Sequence, residues 1–192
     1  ILEAVNFGLY KLTDARMSFY LSTLLLIYVY VMRFYWQNRK DRIRKNRLLI
    51  GAPAFFCILA VACQIFYVPT DARWQKINSV LSGRLELGCF GWRDYGFSLL
   101  GTKIEWIGFS HNATAGTYNY VDCSYMQILL ENGLIPLIII IAVYTYIMYM
   151  AVKEKDFYLQ TAVLLITAFS ITEPRLLNLA YNPLPFFGIT YI

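Results

Sequence analysis

Four long apolar stretches, nearly free of charge, constrain this chain more than any motif in it. They fall at about 17–35, 48–68, 124–151 and 158–172. A helix needs about 20 mostly apolar residues to cross a hydrocarbon core roughly 30 Å thick, so each stretch reads as a membrane span, the fourth a short one. Strands of a membrane barrel alternate in polarity. Leu24-Leu25-Leu26-Ile27 and Ile138-Ile139-Ile140-Ile141 do not, so helices are expected. Pro53 and Pro136 stand near helix ends, where a missing N–H costs little. The expected fold is all-α: a polytopic transmembrane helix bundle, one membrane domain over 1–192. Charge supports this, since only 15% of residues are charged against about 25% in soluble domains. The chain opens on Ile1 and closes in an apolar run, so both ends are expected to be cut from something longer.

Orientation follows from basic residues. Between the first two stretches lie Arg39, Lys40, Arg42, Arg44, Lys45 and Arg47 against one acid, Asp41. Such a loop could hold nucleic acid or anionic lipid. Between two spans it reads as topogenic, which keeps it in the cytoplasm and leaves no nucleic-acid partner. The loop at 152–157 then faces the same side. Asp14, Arg16, the segment 69–123 and Glu173-Pro174-Arg175 face outside.

The external segment 69–123 is too patterned for a tether, and a long, partly helical extracytoplasmic loop is expected. Over 71–81, Trp74, Ile77, Val80 and Leu81 recur at helical spacing, with Thr70 as a plausible N-cap. Gly83 and Gly88 are expected to punctuate the residues after this helix. Residues 94–100 read as a short amphipathic piece lying on the membrane, and 102–107 as a strand or turn. Trp74, Trp92 and Trp106 suit a membrane–water interface.

This loop carries Arg73, Lys76, Arg84, Arg93 and Lys103, and Arg16 and Arg175 reach the same side. Basic residues are usually depleted outside, so orientation does not explain them. Converging arginines suit a diphosphate, because guanidinium forks match phosphate oxygens and stay charged. Solvated or snorkelling arginines are the bland alternative.

Other chemistries find little support. His111 is the only histidine, and the sequence holds neither a G-x-S-x-G elbow nor a P-loop. No metal or cofactor is expected. Asn112-Ala113-Thr114 matches a glycosylation sequon, a short and weak pattern. Cys57 and Cys63 read as packing residues, while the spacing of Cys89 and Cys123 leaves a disulfide open.

Leu81-Ser82-Gly83-Arg84-Leu85-Glu86-Leu87-Gly88 and Tyr95-Gly96-Phe97-Ser98-Leu99-Leu100-Gly101 resemble segments of the Wzy-type bacterial repeat-unit polymerases of O-antigen, capsule and exopolysaccharide. Tyr118-Asn119-Tyr120-Val121-Asp122-Cys123-Ser124-Tyr125, with Gln127 and Gly133, resembles the entry into the helix after that family's large external loop. Thr13-Asp14-Ala15-Arg16, then Ile171-Thr172-Glu173-Pro174-Arg175 and Asn182-Pro183, resemble the outer ends of an earlier and a later span. Two departures stand out. Arg73 and Gly83 miss by one residue the arginine–glycine spacing that some polymerases carry. Asp122 stands where the related O-antigen ligases often have the histidine of a His-Asn pair, which favours polymerase over ligase.

The resemblance implies the C-terminal portion of a glycosyltransferase in the bacterial cytoplasmic membrane. It would polymerise polyprenyl-diphosphate-linked oligosaccharide repeat units at the outer face. Its implied partners are that substrate, membrane lipid and other polysaccharide-assembly membrane proteins. Arg84, Arg16, Arg93 and Arg175 are the candidates for diphosphate binding. Asp122, Glu173 and Asp94 are the candidates for the carboxylate that removes the acceptor proton. Glu131, within the third span, reads equally as an interhelical hydrogen-bonding group. A ligase, a flippase for the same lipid-linked glycan and a non-enzymatic membrane protein are the rivals. A transporter should gather polar groups near the bilayer midplane, whereas here they gather at the outer end.

Overall fold

The computed structural model describes residues 23, 26–28, 30, 47–107, 119–178 and 182. Arg16, most of the expected first span, the basic loop up to Asn46, and His111-Asn112 lie outside the described residues. Among those described, the fold is all-helical, without strands. A 3-10 turn, Arg47–Gly51, leads into α1, Ala52–Ile65, with Pro53 in its first turn. Then follow α2 (Ala72–Val80), α3 (Arg84–Tyr95), α4 (Ser124–Glu131), α5 (Leu134–Lys153) and α6 (Phe157–Phe169).

Two helical stretches, Arg47–Ile65 and Leu134–Lys153, are long and apolar enough to cross a membrane by length and composition. α6 has 13 residues. At 1.5 Å per residue it is about 20 Å long, short of a hydrocarbon core. Asp156 starts it by accepting a hydrogen bond from the Leu159 N–H at 3.0 Å.

The stretch expected as one span over 124–151 is two helices, broken at Asn132-Gly133. Gly133 has φ +97°, and a Cβ there would overlap the backbone of Leu99 and Gly101. Residues 98–102 fill the break. Leu134 N–H donates to the Ser98 carbonyl at 3.0 Å and Ile135 N–H to the Leu99 carbonyl at 3.1 Å. Thr102 donates to the Leu130 carbonyl through both its N–H, at 3.3 Å, and its hydroxyl, at 3.2 Å. Helix ends leave N–H and C=O groups that need such partners. The break is therefore stable because 98–102 supplies them, a long-range contact that apolar periodicity does not reveal.

Residues 69–123 depart from expectation in further places. α2 is capped by Asp71, not Thr70: its carboxylate accepts the Arg73 N–H at 2.8 Å. α3 runs straight through Gly88, which was expected to punctuate, and through Gly91. Both glycines are packing positions, since a Cβ on Gly88 would overlap the Gln64 side chain of α1, and one on Gly91 would lie 2.9 Å from Val121 Cγ2. Residues 94–100 form no amphipathic helix. α3 ends at Tyr95, Gly96 turns the chain at φ +68°, and 102–107 adopts no regular structure.

α4 sits at the centre. Tyr125, Met126 and Leu130 are almost fully buried against Tyr144, Met148 and Val163 of α5 and α6. Each such side chain contributes on the order of 1.5–3 kcal/mol. All four cysteines are free thiols, so Cys89 and Cys123 form no disulfide. The outward faces of α1 and α5 remain apolar: Phe55, Ile58, Ile138 and Ile139 are each more than half exposed.

Candidate functional site

Arg84 reaches its place through the turn between α2 and α3. Ser82 and Gly83 take successive positive φ values of +56° and +83°, a conformation that glycine adopts freely and serine only at a cost. The space around Gly83 is open, so this glycine serves the turn and not a close approach. Asn78 of α2 holds the start of α3. Its Oδ1 accepts the N–H groups of Leu85 at 3.1 Å and Glu86 at 3.3 Å, and its Nδ2 donates to the Tyr67 hydroxyl at 3.2 Å. A buried side chain from the preceding helix thus does the work of an N-cap. No local pattern in the sequence points to it.

Asp122 lies just before α4, whose N-cap, Cys123, is in extended backbone. Glu173 lies in the turns after α6, and Ser124 fastens that segment to α4. Ser124 N–H donates to the Ser170 carbonyl at 3.0 Å, and its hydroxyl donates to the Glu173 carbonyl at 2.6 Å. The same hydroxyl accepts the Leu176 N–H at 3.1 Å. Buried Asn182 adds a second tie, donating to the Leu176 carbonyl at 2.6 Å and to the Tyr144 hydroxyl.

These three supports bring four of the sequence-nominated residues together. Arg84 Nε lies 3.4 Å from Asp122 Oδ2, and Arg84 Nη2 lies 3.2 Å from Glu173 Oε1. Arg175 Nε lies 3.7 Å from Glu173 Oε2. The Arg84, Asp122 and Glu173 side chains are 21–24% exposed, neither sealed nor free in water. Arg84 Nη1 is buried and has no hydrogen-bond acceptor among the described residues. Burial raises the Asp122 carboxyl above the usual aspartate range. It outweighs the attraction of Arg84, and the nearby Glu173 carboxylate adds to the rise. The ion pairs are longer than well-formed charge-assisted hydrogen bonds, typically about 2.7–2.9 Å. Such loose contacts can be exchanged for another anion without large rearrangement.

The other candidates are not gathered here. Arg93 and Asp94 are exposed near the far end of α3, roughly 13–15 Å along the helix axis from Arg84. Arg73 pairs with Asp71 on the surface at 3.2 Å. Glu131 ends α4 and accepts the Trp106 indole N–H at 3.1 Å, a hydrogen bond from the loop before α4 and not one between helices. Among the described residues, no group of three or more His, Cys, Asp or Glu side chains is placed to hold a metal ion. Comparison with family models, curated proteins and solved structures finds no match.

Proposed function

We propose that this chain carries the transfer site of a membrane glycosyltransferase that joins polyprenyl-diphosphate-linked oligosaccharide repeats at the outer face of the bacterial cytoplasmic membrane. The observation that carries the reading is the convergence of Arg84, Asp122, Glu173 and Arg175. They come from three separate parts of the sequence and meet in one partly buried cluster. Two features support a polytopic bundle around it, with residues 69–123 forming the external loop. Two helical stretches have the length and hydropathy of spans. The large apolar side chains on the outward faces of α1 and α5 form the kind of patch that soluble monomers rarely expose.

The chemistry follows from the charges. The cluster is neutral when both acids are ionised. In the transfer, Asp122 takes the proton of the acceptor hydroxyl while the acceptor oxygen bonds to the anomeric carbon. The bond from that carbon to the phosphate oxygen breaks, and its electron pair stays on the diphosphate. Protonated Asp122 no longer holds Arg84, and the cluster becomes net positive as the leaving group gains charge. Pre-positioned guanidinium groups stabilise that charge. An aspartate raised by burial is also a stronger base than an ordinary one.

A second reading rests on the same contacts. With Nε and Nη2 both engaged, Arg84 can be an architectural clasp binding the external loop to the ends of α4 and α6. One experiment separates the two: polymer synthesis from lipid-linked repeats by purified full-length protein, with Asp122→Asn beside the original. Loss of most polymer at an unchanged protein level and melting temperature supports the transfer site. Normal polymer with a lowered melting temperature supports the clasp.

A further inference from the structure

A cavity of about 270 Å³ opens beside the cluster, between α4 and the segment after α6. Ser124, Gln127, Ile128 and Glu131 line it from one face of α4, at the helical spacing that stacks side chains, and Asn132, Pro174, Leu176 and Leu177 complete it, the last two as an apolar wall. Pro174 directly follows Glu173, and Ser124 both follows Asp122-Cys123 and holds the Glu173 carbonyl. Cavity and cluster therefore share a wall.

The lining defines the ligand. It contains no lysine or arginine, so it is not built for an anion. The side-chain amides of Gln127 and Asn132 face it and make no hydrogen bond to the described residues. Each amide offers donors and an acceptor, the pattern that neighbouring hydroxyls answer. The Glu131 carboxylate is steadied by Trp106, whose ring stands edge-on to Tyr95 and Tyr120, each with centroids 6.0 Å away. The volume lies just below the roughly 300–1,000 Å³ of drug-sized pockets, which suits one ring and not a chain of them.

We propose that this cavity binds a single neutral monosaccharide ring, a unit of the saccharide whose diphosphate is handled at Arg84, and that Gln127 and Asn132 select it. The assignment to that saccharide rests on the function proposed above; the sugar site itself does not. The test uses full-length protein in detergent micelles and follows tryptophan emission on titration with glucose, galactose, N-acetylglucosamine and rhamnose. Protonated glucosamine is the cationic control. At least one neutral sugar is expected to give a saturable change that Trp106→Phe abolishes. Gln127→Ala and Asn132→Ala are each expected to weaken it about five- to tenfold. In the polymerisation assay the same two variants should raise KM for the lipid-linked repeat and leave kcat unchanged, since they touch binding and not the reacting atoms. If no neutral sugar binds at up to about 100 mM, well above the millimolar affinity expected of one ring, the site is refuted. If only glucosamine binds, the cavity is an amine site and the proposal falls. Sugar binding without polymer synthesis by the original protein would keep the cavity and overturn the enzymatic reading.

Discussion

Replacing Arg84 with lysine keeps the positive charge and removes the fork. Arg84 Nε and Nη2 meet Asp122 at 3.4 Å and Glu173 at 3.2 Å. A single lysine ammonium cannot hold both carboxylates in that geometry. Exposed pairs contribute about 0–1 kcal/mol, and breaking a buried pair costs about 3–5 kcal/mol. At 21% exposure Arg84 lies between these limits. Glu173 keeps Arg175 nearby, so Arg84→Lys should cost about 1–2 kcal/mol of stability and Arg84→Ala about 2–3 kcal/mol. If the guanidinium also holds the leaving diphosphate, lysine should lose a further 2–4 kcal/mol or so of transition-state stabilisation, a rate fall of about 30-fold to 1,000-fold. The two effects are read separately, by thermal unfolding in detergent and by initial rates on lipid-linked repeats below the melting point. A lysine variant as fast as the original, with alanine slowed less than about threefold, would refute the diphosphate role. Arg175 and Arg16 would then be the next candidates.

Three other outcomes are expected. In a background lacking the four native cysteines, an impermeant thiol reagent applied to intact cells should label Ser82→Cys and not Asn38→Cys; the opposite pattern reverses the topology. Because burial lifts Asp122 above its ordinary value near 3.9, the acid limb of kcat/KM should lie above that value. The folded state then binds the Asp122 proton more tightly than the unfolded chain does. This contribution to stability is present below the unfolded pKa and lost as pH rises through the folded one. Asp122→Asn should abolish that pH slope in denaturant melts, and an unchanged slope assigns it to another group. Finally, Gly133→Ala meets both a positive φ and the backbone of the 98–101 loop, so it should cost about 2–4 kcal/mol. Gly96→Ala, at φ +68° and ψ −155° but with open space around it, meets the backbone strain alone and should cost less, about 1–2 kcal/mol. Equal melting temperatures for the two would refute the account of the helix break.

The features legible in the sequence and those hidden from it divide along one physical line. Apolar periodicity and length are local, and they located α1 and α6 to within a few residues, together with the helix over 72–80, but they merged α4 and α5 into one stretch. Residue chemistry was legible in part. Of the arginines and acids that the sequence nominates, four meet. Contacts between distant segments were hidden. The break at Gly133 depends on carbonyls more than 30 residues earlier. The start of α3 depends on Asn78, and the placing of Glu173 depends on the hydroxyl of Ser124. All three are uncharged groups that satisfy backbone ends, and a polar side chain of that kind reads identically whether it caps a neighbour or faces water. The same limit governed Arg84. Its charge nominated it, but only the fold distinguishes pairing with Glu86, two residues away on the same helix, from bridging Asp122 and Glu173. That distinction carries the functional argument. An Arg84–Glu86 pair would be a local surface contact with little consequence, whereas the observed bridge ties α3 to two helix ends and couples a raised carboxyl to a guanidinium. Any change in the charge of Asp122 is therefore felt at Arg84, which is the property that proton transfer to Asp122 needs if it is to favour departure of an anion.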